Sequence, residues 1–127
     1  MIHEEICTYE VSKLAKEKGF PQRGIDSNKY WFENFNGIIE EVKDNVFLYE
    51  IYPEPRLARQ TTQSLLQRWL REEKGIIVIP YYRSVLRRWS ATYELTSPCT
   101  FEDLRKCFKT YEQALEDALK YALEKLV

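Results

Sequence analysis

Apolar and polar positions recur at helical spacing in the middle of the chain, over residues 61–79. One helical stripe carries Leu65, Leu66, Trp69 and Leu70, and the polar positions beside it are Gln67, Arg68, Arg71 and Lys74. Gly75 suits the left-handed residue that closes a helix, and the β-branched residues 76–79 are typical of a strand. The pattern therefore predicts a central helix that is followed at once by a strand.

Three predicted strands precede this helix. The Asn36-Gly37 pair stands between two apolar runs, residues 30–35 and 38–42, and Asn-Gly is the preferred type I′ hairpin turn because both central residues need positive φ. A second turn precedes residues 46–52, whose alternation predicts a third strand. We expect an antiparallel meander that ends at Pro53, because proline has no N–H to donate to a sheet.

Two further strands follow the central helix. Pro80 predicts that the strand beginning at residue 76 either ends there or lies at the edge of a sheet. Residues 89–95 alternate between apolar and polar side chains, which indicates one buried and one solvated face. A single helical turn is expected at residues 101–106.

Helices are predicted at both ends of the chain. Thr8 can cap a first helix that Gly19 ends, and Thr110 with Gln113 has the form of a capping box before a long amphipathic helix that reaches nearly to Val127. The predicted order is α-βββ-α-ββ-α, with the meander and the hairpin packed by helices. We interpret residues 1–127 as one α+β domain.

Charge is segregated along the chain although the total is only −1. The segments 1–29, 30–55, 56–88 and 89–127 carry net charges of 0, −5, +6 and −2. Seven of the nine arginines lie in the third segment. This asymmetry is the main compositional indication of a partner.

Five of these arginines are candidate nucleic-acid-binding residues, because guanidinium groups bond phosphates bidentately and nearby aromatic rings can stack on bases. They are Arg68, Arg71, Arg83, Arg87 and Arg88. An alternative is that the arginines pair with the acidic strands, at Glu33, Glu40, Glu41 or Glu50, within the fold or across a homo-oligomer. A third reading is that the basic centre docks an acidic protein surface.

No catalytic or cofactor signature accompanies the arginines. The one histidine, His3, lies at the chain end, where a general base is hard to hold in position. His3 with Cys7, Cys99 and Cys107 does not have the spacing of a zinc site, and the odd number of cysteines favours reduced thiols. The four glycines are isolated, so no phosphate loop is present. We expect no enzyme activity, no metal and no cofactor.

Cellular location follows from the apolar runs and the N-terminal residues. No run approaches the roughly 20 apolar residues of a membrane-spanning helix, and the acidic N-terminus is not typical of a secretory signal. We expect a cytoplasmic protein with no membrane association.

Three blocks of the sequence resemble one family. The blocks are residues 10–20, which contain KLAKEKGF, residues 62–72, TQSLLQRWLRE, and residues 110–115, TYEQAL. They are similar to small phage-like proteins carried by phages and mobile elements of Bacteroidales. Family members often have proline just before the Thr-Gln pair, where this chain has Thr61, a difference that affects only the start of the helix. The resemblance implies a genomic setting and supplies no catalytic or binding residues.

The sequence thus predicts a non-enzymatic binding protein of phages or mobile elements, with nucleic acid as the partner of its arginine-rich centre. The alternative is a protein-interaction or structural module with no nucleic-acid binding. A small enzyme would require an ordered pocket of acids and tyrosines.

Overall fold

The structure is a computed structural model that describes residues 5–22, 29–43, 48–52, 54–96 and 99–127. The helices are α1 (Tyr9–Glu17), α2 (Leu48–Ile51), α3 (Gln63–Lys74) and α4 (Tyr111–Tyr121). The strands are β1 (Lys29–Glu33), β2 (Ile39–Lys43), β3 (Leu57–Arg59), β4 (Ile76–Arg83), β5 (Arg88–Thr96) and β6 (Cys99–Asp103). A 3₁₀ turn, Glu54–Arg56, precedes β3, and a π-helical turn, Ala122–Leu126, extends α4. The α+β class is confirmed, and the helices and strands follow the predicted order apart from the short helix α2 and the additional strand β6.

The described chain forms two compact units. One contains residues 6–61 and is called the N-terminal unit; the other contains Glu5 and residues 62–127 and is called the C-terminal unit. Each has its own three-stranded antiparallel sheet. Within the described residues, no helix has the length and apolar character needed to cross a membrane.

The N-terminal unit begins with α1, as predicted. Thr8 caps the helix by accepting a hydrogen bond from the Val11 N–H at 3.3 Å, and Gly19 follows its end with φ of 99°. Val11 and Ala15 are buried, so one apolar face of α1 packs into the unit. Nearby, Lys16 Nζ donates to the Leu57 carbonyl at 2.8 Å, which ties α1 to β3.

The sheet of this unit has the order β2-β1-β3, so the predicted meander is wrong in one strand. Residues 48–51 form the helical turn α2 instead of a third strand, and Val46 and Phe47 lie outside the described residues. The third strand is β3, which pairs with β1 from Tyr30↔Arg59 to Phe32↔Leu57. Leu48 is fully buried among the core residues of the sheet, so α2 contributes to the core without joining the ladder.

The β1–β2 hairpin lies where Asn36-Gly37 predicted it, but its turn is not type I′. Of the two residues only Gly37 has positive φ, at 76°. Asn34 organises the turn, because its Oδ1 accepts hydrogen bonds from the N–H groups of Asn36 and Ile38 at 2.9 and 3.0 Å. The Asn34 side chain thus takes the place of a backbone group in the turn, and Asn36 does not need positive φ.

The C-terminal unit begins with α3, which ends as predicted. Gly75 adopts the left-handed conformation, with φ of 67°, and its N–H bonds the Leu70 carbonyl. Leu66 and Leu70 are buried, and the predicted core residue Trp69 is half-buried with Lys74 Nζ 5.4 Å from its ring centroid. Gln67 was expected on the polar side, yet its Nε2 donates to the Val78 carbonyl of β4 at 2.6 Å.

The sheet of this unit has the order β4-β5-β6, so β4 is an edge strand. It runs through Pro80, which pairs with Ala91, and the edge-strand alternative for this proline is confirmed. Residues 99–103 form the additional strand β6, so the helical turn expected at residues 101–106 is wrong. Leu115 and Leu119 of α4 are buried against one face of this sheet.

Candidate nucleic-acid interface

The five candidate arginines fall into two groups within the C-terminal unit. Arg68 and Arg71 are exposed on α3. Arg83 ends β4, Arg87 lies in the connecting turn and Arg88 begins β5. We call residues 82–88 the basic turn; they carry three arginines and no acid.

The basic turn owes its position to a regular hairpin. β4 and β5 pair without interruption from Ile76↔Leu95 to Arg83↔Arg88. Four residues then reverse the chain, and the Arg87 N–H bonds the Ser84 carbonyl at 3.3 Å. Arg87 has φ of 52°, a left-handed conformation that is uncommon outside glycine.

Arg83 and Arg88 are direct cross-strand partners, so two guanidinium groups share one face at the end of the hairpin. Like charges directly opposite each other destabilise a strand pair. An anion bound between them would relieve the repulsion, and guanidinium groups match phosphate oxygens in geometry. This pair is therefore a favourable place for a phosphate group.

Arg83 is held by Cys107 and Tyr81, and its charge is partly offset by the carboxylate of Asp103 on β6. Its Nη1 lies 3.8 Å from Cys107 Sγ, a donor contact to sulfur, and its Cζ lies 6.0 Å from the centroid of the Tyr81 ring. The contact with Cys107 is the largest cause of a raised pKa for Arg83, with the Tyr81 oxygen as a further cause. The guanidinium therefore stays charged.

A tyrosine–carboxylate pair lies beside Arg83 on the same face. The Tyr81 hydroxyl donates a short hydrogen bond to Asp103 Oδ2, which raises the pKa of Tyr81 and lowers that of Asp103. The Arg105 N–H also donates to Asp103 Oδ1, at 2.8 Å. Ser90 lies fully buried nearby; its hydroxyl is close enough to lower the pKa of Tyr81, yet its geometry makes no hydrogen bond to the described residues.

The opposite face of the hairpin end carries aromatic rings. The centroids of Tyr82 and Trp89 are 5.3 Å apart, and those of Trp89 and Tyr111 are also 5.3 Å apart. Trp89 is held by a reciprocal pair of backbone hydrogen bonds with Phe108, each 2.7 Å long. Tyr82 and Tyr111 are exposed, so two rings of the cluster are open to stacking.

The two arginines of α3 form a separate group. Arg68 Nε donates to Glu72 on its own helix at 3.0 Å, an exposed i,i+4 pair. Gln67 contacts β4 at Val78. Arg83 lies five residue steps further along the strand, which is roughly 17 Å at a rise of about 3.3 Å per residue. Arg68 and Arg71 follow Gln67 toward Gly75, away from the basic turn. The five arginines are therefore not one site.

Several residues of the hairpin site were absent from the sequence prediction. Tyr81 lies two residues before Arg83 on β4 and shares its face. Asp103 and Cys107 join them because β6 and the segment after it return to the hairpin end, whereas the sequence predicts a helical turn at residues 101–106. The segment Thr100–Asp103 contains a single apolar residue, Phe101, so its hydrophobic pattern is only a weak indication of a strand. Pairing of the arginines with Glu33, Glu40, Glu41 or Glu50 involves the other unit and stays a prediction.

The remaining candidate groups are dispersed. Cys7 is buried, whereas Cys99 and Cys107 are exposed free thiols. His3 lies outside the described residues. Among the residues that the structure describes, no three histidine, cysteine or acidic side chains converge as metal ligands would.

Comparisons with known proteins add no relative: no family model, curated protein or solved structure matches the chain.

Proposed function

We propose that this chain is a non-enzymatic binding protein that holds nucleic acid, preferentially single-stranded, at the end of the β4–β5 hairpin. The observation that carries the proposal is the Arg83–Arg88 cross-strand pair, two like charges opposed at an exposed hairpin end. A phosphodiester would supply the counter-charge that this pair lacks on its own strands. Arg87, exposed in the adjoining turn, can reach a neighbouring phosphate.

The preference for single strands rests on the aromatic face. Unpaired bases can stack on an exposed ring, and such stacking is tolerant of sequence. Tyr82 precedes Arg83 in the strand and packs against Trp89 on the opposite face, so a single strand that contacts the arginines would stack a base on Tyr82 by passing over the hairpin end. A duplex would keep its bases stacked inside and gain only the phosphate contacts.

The setting of the proposed function follows from the sequence. The resemblance to phage and mobile-element proteins supports a role in the cytoplasm, where foreign or replicating nucleic acid is handled. The exposed arginines of the basic turn support this role, because binding nucleic acid requires positive charge and no catalytic group.

The test is fluorescence anisotropy with labelled single-stranded DNA and RNA and with duplex DNA, over a range of salt concentrations. We expect single strands to bind more tightly, with a logarithmic salt slope of about −2 for three phosphate contacts. The hairpin variant Arg87→Glu/Arg88→Glu should lose most of the binding. Tyr82→Ala should weaken single-strand binding roughly 5- to 100-fold, as expected for the loss of one stacked base, and duplex binding much less.

The matched control is Arg68→Glu/Arg71→Glu, which makes the same change in net charge on α3. It should bind nearly as tightly as the parent chain, because these arginines lie far from the basic turn. Equal losses in both double variants would show a diffuse attraction to charge instead of a site, and no binding at low salt would overturn the proposal.

An alternative function, protein interaction, is favoured by a different observation. The tip of the same turn is apolar: Val85 is 94% exposed and Leu86 is 54% exposed. Two exposed aliphatic side chains have no use in phosphate binding, and they are typical of a contact with another protein surface.

A further inference from the structure

The apolar tip of the basic turn has a counterpart in the N-terminal unit. The β1–β2 hairpin ends in residues 33–41, which we call the acidic turn; they carry Glu33, Glu40 and Glu41 and no basic residue. Phe35 is 82% exposed there, Ile38 is 58% exposed and Ile39 is exposed beside them. Each of these two hairpin ends therefore carries a cluster of exposed apolar side chains.

The two turns are complementary in charge. The acidic turn carries a net charge of −3 and the basic turn a net charge of +3. Two cations of the N-terminal unit lie beside the acidic turn. Lys29 Nζ forms an ion pair with Glu41 at 3.1 Å. Arg56 Nη1 donates to the Asn34 carbonyl at 2.9 Å, and its Cζ lies 4.9 Å from the centroid of the Phe35 ring. Arg56 and Lys29 offset two of the three negative charges, so the acidic turn keeps a net charge of −1, and Phe35 remains exposed despite its contact with Arg56.

Burial of either apolar cluster requires a partner of particular chemistry. Val85 and Leu86 lie between the arginines of the basic turn. A surface that covers them must therefore be both apolar and acidic, because it would otherwise bury arginine charges without a counter-charge. The acidic turn is a surface of that kind, with aromatic and aliphatic side chains between carboxylates. By the same argument, the surface that covers Phe35 and Ile38 must be both apolar and basic.

We propose that the chain associates with itself, the basic turn of one copy docking on the acidic turn of another. Val85 and Leu86 pack against Phe35 and Ile38 of the second copy, and the arginines face its glutamates. Because the two turns differ, the contact either occurs twice about a two-fold axis, in an isologous dimer, or repeats head to tail in a larger assembly. The proposal is independent of nucleic-acid binding, although both would use Arg87 and Arg88.

The test is the molar mass of nucleic-acid-free protein, measured by size-exclusion chromatography with light scattering at low and high salt. We expect the parent chain to associate at low salt and to dissociate as salt rises, because exposed charges are screened. Two charge-reversal variants, Arg87→Glu/Arg88→Glu and Glu40→Arg/Glu41→Arg, should each weaken association on the order of a hundredfold, since like charges would then face each other.

Mixing the two reversal variants is the decisive step. Every turn in the mixture again has a partner of opposite charge, so we expect association to return. Val85→Ser/Leu86→Ser separates a docked contact from general attraction between unlike charges, because it leaves the charge unchanged and should still weaken association. The control Arg68→Glu/Arg71→Glu should associate as the parent chain does.

Three outcomes would overturn the proposal. They are a parent chain that stays monomeric at its highest soluble concentration in low salt, association that survives both charge reversals, and association that is insensitive to Val85→Ser/Leu86→Ser. None of these outcomes bears on oligonucleotide binding, and a chain that binds no oligonucleotide can still associate in this way.

Discussion

Arg83 and Arg88 face each other across the last paired position of the β4–β5 hairpin, with no opposite charge on either strand at that level. A hairpin could gain stability by placing a glutamate at one of these positions. The chain instead continues the positive charge into the turn with Arg87. The hairpin end therefore departs from the locally more stable arrangement and concentrates positive charge. Departures of this kind are common at functional sites.

This relationship predicts that Arg88→Glu stabilises the fold while it removes the proposed nucleic-acid binding. The variant replaces a repulsive cross-strand pair with an attractive one, and we expect a rise in the thermal midpoint of roughly 1 to 3 °C at low salt. The gain should shrink as salt screens the exposed pair. Differential scanning calorimetry would measure it. Arg88→Gln should gain about half as much, and a lower midpoint for Arg88→Glu would contradict the proposed repulsion.

Local signals in the sequence were reliable where one or two residues decide the conformation. Thr8, Thr110 and Gly75 each have the predicted capping role, because a cap is formed by atoms within a few residues of each other. Pro80 was equally informative, since its missing N–H restricts it to the edge of a sheet.

Non-local pairing was less predictable from the sequence. Residues 48–51 alternate like a strand, yet β1 pairs with Leu57–Arg59, whose three residues give hardly any periodic signal. The same limit applies to the candidate site. The sequence identifies the five arginines as part of one basic segment. Which of them share a face depends on the β4–β5 register and on the position of α3 along β4.

Tyr93 should titrate well above the usual tyrosine pKa of 10.0. Its hydroxyl donates to Glu102 Oε2 at 2.8 Å, and this bond, with burial, raises its pKa from the usual 10.0 to about 12. The folded state therefore holds the phenol proton more tightly than the unfolded chain does. The resulting stabilisation is complete below pH 10 and is lost as the pH rises from 10 toward 12.

The measurement for Tyr93 is an NMR titration of the tyrosine Cζ resonances, with Tyr93→Phe to assign the signal. Glu102→Gln should shift the midpoint back toward the usual value, because the carboxylate charge that favours the protonated phenol is gone. A Tyr93 resonance that titrates together with exposed tyrosines would rule out the bond to Glu102.

Gly75 should be intolerant of a side chain for two separable reasons. Its φ of 67° costs about 1 kcal/mol for alanine, and a Cβ at this position would clash with Thr96 Oγ1. We expect Gly75→Ala to cost about 2 to 3 kcal/mol in the free energy of unfolding. In a Thr96→Ala background, where the clashing atom is absent, the cost should fall to about 1 kcal/mol. Urea denaturation of the four proteins gives the coupling, and additive costs would show that the clash is relieved by rotation of Thr96.

Gln63 is a buried polar side chain that joins α3 to α4. It is only 4% exposed, and its Nε2 donates to both the Glu112 carbonyl at 2.9 Å and Glu116 Oε1 at 2.8 Å. Gln63→Leu keeps the apolar bulk but removes both donors, so we expect a loss of about 1 to 3 kcal/mol in the free energy of unfolding. Gln63→Leu combined with Glu116→Leu should recover part of the loss, because the carboxylate left without this donor is then removed as well. Denaturant titration of the single and double variants measures this, and a double variant less stable than Gln63→Leu alone would show that Glu116 stabilises the unit through other contacts.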